Sequence, residues 1–361
     1  MLATLGRLPF SRGGSRGFRR MIVALGVLVA LATVVASAGA KTSAAPPVRT
    51  VNFGAGSIKV GGAPLKIAFL DICAACNAWS VSNTQATLAE AKKDGVKVSV
   101  FDSNFDALKQ VSQFRTALSQ GYNGMIIIAL SPEMCTLTKQ AIKKGVLISI
   151  VNQHVCSSVY ATGNAIWLPG TVNFIGGDQT QDMFTRFLTT VAAANPGPQQ
   201  VALLEGTPGL TQTLLVERSK ALIEKKYPNF KVTSIQVPTY DITGAYNKLQ
   251  AFLPANSGLT ILAGIYSDMT QGAVKALQQA GRTNVKVYDM GGSKWAFGAV
   301  KSGAVQMTSV FLPATEGTLA VSSLYKAWTT GNPGPHYVDI IKTVTTPFIT
   351  KANISGRQAQ Y

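Results

Sequence analysis

The fold options of this chain are narrowed above all by an alternation of short apolar runs with amphipathic segments, which begins at Leu65 and continues through most of the remaining residues. Runs rich in β-branched and other apolar residues predict strands at 66–72, 96–101, 124–129, 147–152, 201–205, 231–237, 260–265 and 285–290. Between them lie helical patterns such as Asp182 to Val191, where Met183, Phe184, Phe187, Leu188 and Val191 fall on one face. Helix stop signals recur at Asp94-Gly95, Gln120-Gly121, Lys144-Gly145 and Ala280-Gly281, each succeeded by the next strand. Strands that alternate with helices in this way form parallel sheets covered on both faces. The rhythm runs four times, is interrupted from about Cys156 to Phe174 by a Gly/Pro/Asn-rich stretch, and resumes. The expected fold is therefore α/β, with two doubly wound, Rossmann-like parallel-sheet lobes. A length of 361 residues, 47% of them hydrophobic, is enough for two cores. Open parallel sheets bind ligands beyond the carboxyl ends of their strands, so two such lobes facing one another make a cleft.

The segment before this array has a different character. Residues 1–40 carry Arg7, Arg12, Arg16, Arg19 and Arg20 with no acid, then an apolar stretch from Met21 to Ala40 that ends in small residues. This reads as a signal peptide, of the general or the twin-arginine kind, or as an uncleaved N-terminal anchor. Residues 41–63 read as a linker. No cysteine precedes Cys73, which excludes a lipid-modified cysteine anchor. Export places the mature chain in the periplasm or on the outer face of a bacterial cytoplasmic membrane. Without the five arginines the formal charge falls from +17 to +12, spread thinly and without basic runs interleaved with aromatics, so nucleic acid is not an expected partner.

No catalytic constellation is present in the sequence. There are two histidines, His154 and His336, no Gly-x-Ser-x-Gly elbow and no phosphate-cradling glycine loop, so neither an enzyme nor a cofactor is expected. The four cysteines come after strand ends: Cys73 and Cys76 after the first strand, Cys135 after the third, Cys156 after the fourth. All four gather on one rim, and an exported chain favours disulfides, with Cys73–Cys76 and Cys135–Cys156 preferred among three possible pairings. A zinc site and a thiol-disulfide centre at Cys73-Ala74-Ala75-Cys76 are the alternatives.

The order of motifs over residues 64–350 resembles the type I periplasmic sugar-binding proteins, the group that includes ribose-binding protein. The landmarks are Lys66-Ile67-Ala68-Phe69, Cys76-Asn77-Ala78-Trp79, Leu130-Ser131-Pro132, Ile148 to Gln153, Gly176-Gly177-Asp178, Glu217-Arg218-Ser219, Thr239-Tyr240-Asp241, Ser267-Asp268-Met269 and Phe311-Leu312-Pro313. The resemblance implies a monomeric receptor that captures a sugar or sugar-like solute between its lobes and hands it to an ABC permease, or presents it to a membrane sensor. It implies ligand contacts from Asn77, Trp79, Ser131, Asn152 and Gln153 in the first lobe, and from Arg218, Tyr240, Tyr266, Gly291 and Phe311 across the cleft. Asn152-Gln153 replaces the family's Asp-Arg pair, Gly291 stands for an Asp and Phe311 for a Gln, so a ligand less polar than a pentose is expected, such as a deoxy sugar, a polyol, a nucleoside or an aromatic solute. The implied boundaries are 64–172 with 312–338 for the N-terminal lobe and 173–311 with 339–354 for the C-terminal lobe, joined by a three-strand hinge.

Overall fold

The computed structural model of the protein describes residues 44–361. The signal or anchor segment expected at 1–40 lies outside the described residues. The segment expected to be a linker instead forms an antiparallel hairpin, β1 (Arg49–Asn52) and β2 (Ser57–Val60). The hairpin is docked: Phe53 is buried, its carbonyl accepts from the Gly170 amide at 2.7 Å, and Arg49 donates to the carbonyls of Trp328 and Thr329. Its two four-residue strands are too short, and too mixed in pattern, to stand out as strands.

The first lobe is a six-stranded sheet in the order β13-β7-β6-β5-β3-β4. Its members are β3 (Lys66–Asp71), β4 (Lys97–Asp102), β5 (Gly124–Ile127), β6 (Leu147–Val151), β7 (Asn173–Gly176) and β13 (Tyr337–Asp339), all parallel. The second lobe has the order β14-β12-β11-β10-β8-β9. It comprises β8 (Gln199–Glu205), β9 (Phe230–Gln236), β10 (Ile261–Gly264), β11 (Lys286–Asp289), β12 (Met307–Ser309) and β14 (Phe348–Thr350), the last antiparallel at the edge. The eight strands expected from the sequence are all present. Because β7 pairs with β6, the first lobe extends through Gly176 rather than ending at 172.

Helices α1 (Ala78–Asp94), α2 (Ala107–Ser119), α3 (Glu133–Lys143) and α9 (Pro313–Thr330) belong to the first lobe, and α4 (Gln181–Ala193), α5 (Thr211–Lys226), α6 (Ile242–Phe252), α7 (Ser267–Gln279) and α8 (Lys294–Ser302) to the second. In α4 the apolar face expected from the sequence is the buried one: Met183, Phe184, Phe187, Leu188 and Val191 are all in the core. Gly95 ends α1 at φ 67°, where its amide closes the last turn onto the carbonyls of Ala91 and Lys92; a side chain would strain this left-handed position.

The chain passes between the lobes after β7, between β12 and α9, and between β13 and β14. A further tie comes from beyond the expected lobe boundary at 354. Gln360 accepts from the Ala314 and Thr315 amides of the first lobe, while the Tyr361 hydroxyl donates to the Gly291 carbonyl of the second at 2.6 Å. Among the described residues, no helix is long and apolar enough to cross a membrane.

Candidate functional site

In each lobe the β-to-α loops leave the carboxyl ends of the strands, and the two sets face one another around a cavity of about 80 Å³. A water needs roughly 10–15 Å³ measured this way, so the space takes a small solute and not a polymer. Its walls combine aromatic rings (Trp79, Phe105, Tyr240, Tyr266 and Phe311) with side-chain amides (Asn77, Asn152, Gln153, Gln179 and Gln212). Among the described residues, no Lys, Arg, Asp, Glu or His lines it.

Local chemistry fixes several of these groups. Asn77 is the N-cap of α1: its side-chain oxygen accepts from the Ser80 amide at 2.9 Å, which leaves the NH2 to the cavity. Trp79, in the first turn of the same helix, is buried, and its indole Nε1 is buried without a hydrogen-bond partner. A buried donor of this kind costs about 1–3 kcal/mol unless something accepts from it. At the end of β6 the Asn152 NH2 donates to Glu316 at 3.2 Å, and its oxygen accepts from Gln153 Nε2 at 2.9 Å.

Backbone strain concentrates here. Among the described residues, five non-glycine positions have positive φ, and three of them line the cavity: Phe105 (59°), Asn152 (60°) and Tyr240 (51°). For an aromatic residue this conformation costs about 1–2 kcal/mol and persists only where the surroundings hold it. Phe105, on the loop after β4, and Tyr240, on the loop after β9, stack nearly parallel at 6.5 Å across the cleft. Tyr240 also meets Tyr266 edge to face at 6.5 Å.

Buried carboxylates anchor the strand ends around the site. Burial pushes Asp71, the last residue of β3, up to about 6, tempered by the hydroxyl of Thr84 at 2.9 Å. Asp289, the last residue of β11, is also raised by burial although it accepts from Ser267, Thr270 and Thr308 at 2.9, 2.6 and 2.6 Å.

Of the ten candidate contact residues in the sequence, seven line the cavity: Asn77, Trp79, Asn152, Gln153, Tyr240, Tyr266 and Phe311. Three do not. Ser131 lies one residue past the lining residue Leu130. Arg218 is exposed on α5, with its guanidinium 4.1 Å over the ring of Tyr160 from the first lobe. Gly291 lies behind the wall, where a Cβ would come within 2.6 Å of the Ser267 backbone nitrogen, so the side chain this position has in the related family would not fit. Phe105, Gln179 and Gln212 are lining residues that the sequence pattern does not pick out. The signal for Phe105 is its place just beyond the end of β4.

The cysteines pair as Cys73–Cys76 and Cys135–Cys156, with Cα separations of 5.9 and 4.8 Å. No thiolate is left for zinc, and among the described residues no cluster of His, Cys, Asp or Glu could hold a metal. Both histidines pack away from the cavity: His154 Nδ1 is 2.8 Å from the Ser157 hydroxyl, and His336 stacks on Trp167 at 3.8 Å.

Residues 74–333 match the family model described as a periplasmic binding protein domain. The ribose import binding protein of Bacillus subtilis is 24% identical over 248 residues, covering 68% of this chain and 76% of that protein. The xylitol-binding protein of Mycolicibacterium smegmatis is 27% identical over 244 residues, covering 64% of this chain and 63% of that protein. Among solved structures, an ABC transporter solute-binding protein from Mycobacterium smegmatis with bound glycerol aligns with a TM-score of 0.69 at 24% identity, over 82% of this chain and 98% of that one. An arabinose-transporter binding protein from Shewanella, bound to arabinofuranose, aligns with a TM-score of 0.67 at 20% identity, over 80% and 93%.

Proposed function

The chain belongs to the periplasmic binding protein domain family, and on that ground we propose that it captures a small, uncharged, hydroxylated solute, a sugar or polyol, between its lobes for an ABC importer. The observation that carries the solute class is the uncharged lining of amides and aromatic rings. Side-chain amides can both donate to and accept from hydroxyls, and aromatic faces cover the C–H faces of a carbohydrate ring or chain. An ion would shed its water into this cavity without a counter-charge, at a cost of several kcal/mol. The relatives are binding proteins, one for ribose and one for xylitol, and the cavity size suits solutes of that order.

Contacts from both lobes give the mechanism. A solute held by Trp79, Asn152 and Gln153 on one side and by Tyr240 and Tyr266 on the other interacts fully only with the closed form, so it shifts the hinge equilibrium towards closure. The closed surface is then what the permease recognises. The protein acts in this reading as an exported monomer on the outer side of the cytoplasmic membrane.

The test is thermal unfolding of the purified chain with D-ribose, L-arabinose, xylitol, glycerol and a nucleoside, each in large excess. A solute at about 100 times its Kd stabilises the folded state by about 2.7 kcal/mol, a midpoint rise of several degrees. At least one sugar or polyol is expected to do this. A nucleoside alone raising the midpoint would move the assignment to flat, partly apolar solutes, and no shift from any of them would remove the sugar-capture reading.

A further inference from the structure

Gln360 and Tyr361 are neighbours in the chain but bond to different lobes. They follow β14, the edge strand of the second lobe, through a segment held beside it by Arg357, which donates to the Thr346 carbonyl at 3.2 Å. Gln360 then meets the first lobe. Its side-chain oxygen accepts from the Ala314 and Thr315 amides at 3.0 and 3.2 Å, donors that the first turn of α9 leaves without intrahelical partners. Its Nε2 donates to the Thr315 hydroxyl at 2.7 Å, and its carbonyl accepts from Ser82 of α1 at 3.1 Å. Tyr361 returns to the second lobe. Its backbone oxygen accepts from the Lys294 amide, at the start of α8, at 2.6 Å, and its hydroxyl donates to the Gly291 carbonyl at 2.6 Å. The ring is buried; burial first, then the nearby Tyr266 and Asp289, push the phenol well above its ordinary range, so it remains a donor.

Each of these anchors adjoins a wall of the cavity. Ser82 is one helical turn beyond Trp79 on α1, and Ala314 follows closely on Phe311. Gly291 packs against Ser267, the neighbour of Tyr266. A single peptide unit joins the two grips, and consecutive Cα atoms are fixed about 3.8 Å apart, so the link has little slack. A hinge motion that draws the start of α9 away from Gly291 has to break one end of it.

We infer that Gln360 and Tyr361 act as positioning residues for solute capture, a clasp between the lobes that favours their closed arrangement and so strengthens the binding of every solute by the same factor. Neither residue lines the cavity. A contact that favours closure raises the fraction of protein competent to bind, and the apparent Kd of each solute falls in proportion. A group in the wall would instead change one solute more than another. This rests on the cavity being the solute site, but the clasp itself can be read without any solute.

The experiment compares the full chain with Tyr361→Phe, Gln360→Ala and the double variant in two arms. The first, without solute, is hydrogen exchange of the Ala314 and Thr315 amides by NMR. Tyr361→Phe removes one hydroxyl in the second lobe and touches nothing at α9, yet these amides are expected to exchange at least about threefold faster, because the loosened clasp releases Gln360 more often. Unchanged exchange overturns the clasp. The second arm is calorimetric titration with those sugars and polyols of the panel that bind. Each single variant is expected to weaken all of them by one common factor of about 3–10, the worth of a buried hydrogen bond. The double variant is expected to lose clearly less than the product of the two single factors, since opening one end already frees the other. Factors that differ between solutes, single losses that multiply in full, or no loss at all overturn the positioning role. A wild-type chain that binds no sugar or polyol strikes the functional reading, and the exchange arm still decides the clasp.

Discussion

Replacing Tyr240 with alanine is expected to weaken solute binding by about 10–100-fold, and replacing it with glycine to weaken binding equally while giving the more stable protein of the two. The first half rests on the ring's place in the cavity wall, stacked on Phe105 across the cleft and packed against Tyr266. Losing an aromatic side chain's burial against a ligand is worth about 1.5–3 kcal/mol, and about 1.4 kcal/mol is tenfold in affinity. The second half rests on φ 51° at this position. Alanine inherits the left-handed strain and glycine does not, which reverses the usual order of the two by about 1 kcal/mol. Unfolding of both variants by urea checks the order, and calorimetric titration checks the binding. An alanine variant more stable than the glycine variant would mean that the local conformation is not the one described.

The second large effect concerns the disulfide between Cys135 and Cys156, 21 residues apart in sequence. Loop-closure entropy for a span of this size predicts about 3 kcal/mol of stabilisation, against about 2 kcal/mol for Cys73–Cys76. The longer bridge ties the start of α3 to the loop after β6, and so fixes the backbone carrying Leu130 against that carrying Asn152 and Gln153. Cys135→Ser with Cys156→Ser should lower the unfolding midpoint by roughly 5 °C or more and weaken solute binding as well. The Cys73/Cys76 double variant should lose less stability. Equal losses would argue against the loop-entropy account.

The fold was legible in the sequence because its central strands are buried on both faces and so read as continuous apolar runs, Ile67 to Leu70 and Val201 to Leu204 among them. The docked hairpin was not legible: only Phe53 and Val60 among its residues are deeply buried, and docking depends on partners such as Gly170 and Trp328, far along the chain. In the site, four of the five first-lobe contacts that the resemblance implied, Asn77, Trp79, Asn152 and Gln153, line the cavity, because they follow strand ends whose position the buried strands hold. Arg218 was expected at the ligand from the resemblance alone, which matches a position but not a direction; its guanidinium lies over Tyr160 and does not line the cavity.

Capture of an uncharged solute is best put to the test by a calorimetric titration of the full chain with a neutral sugar or polyol from the panel and with its carboxylate counterpart, the aldonate. An uncharged cavity predicts one-to-one binding of the neutral solute and binding at least about 100-fold weaker for the aldonate, which would have to leave its water without a cation to meet it. Equal or tighter binding of the aldonate would contradict capture of an uncharged solute by these amides and rings.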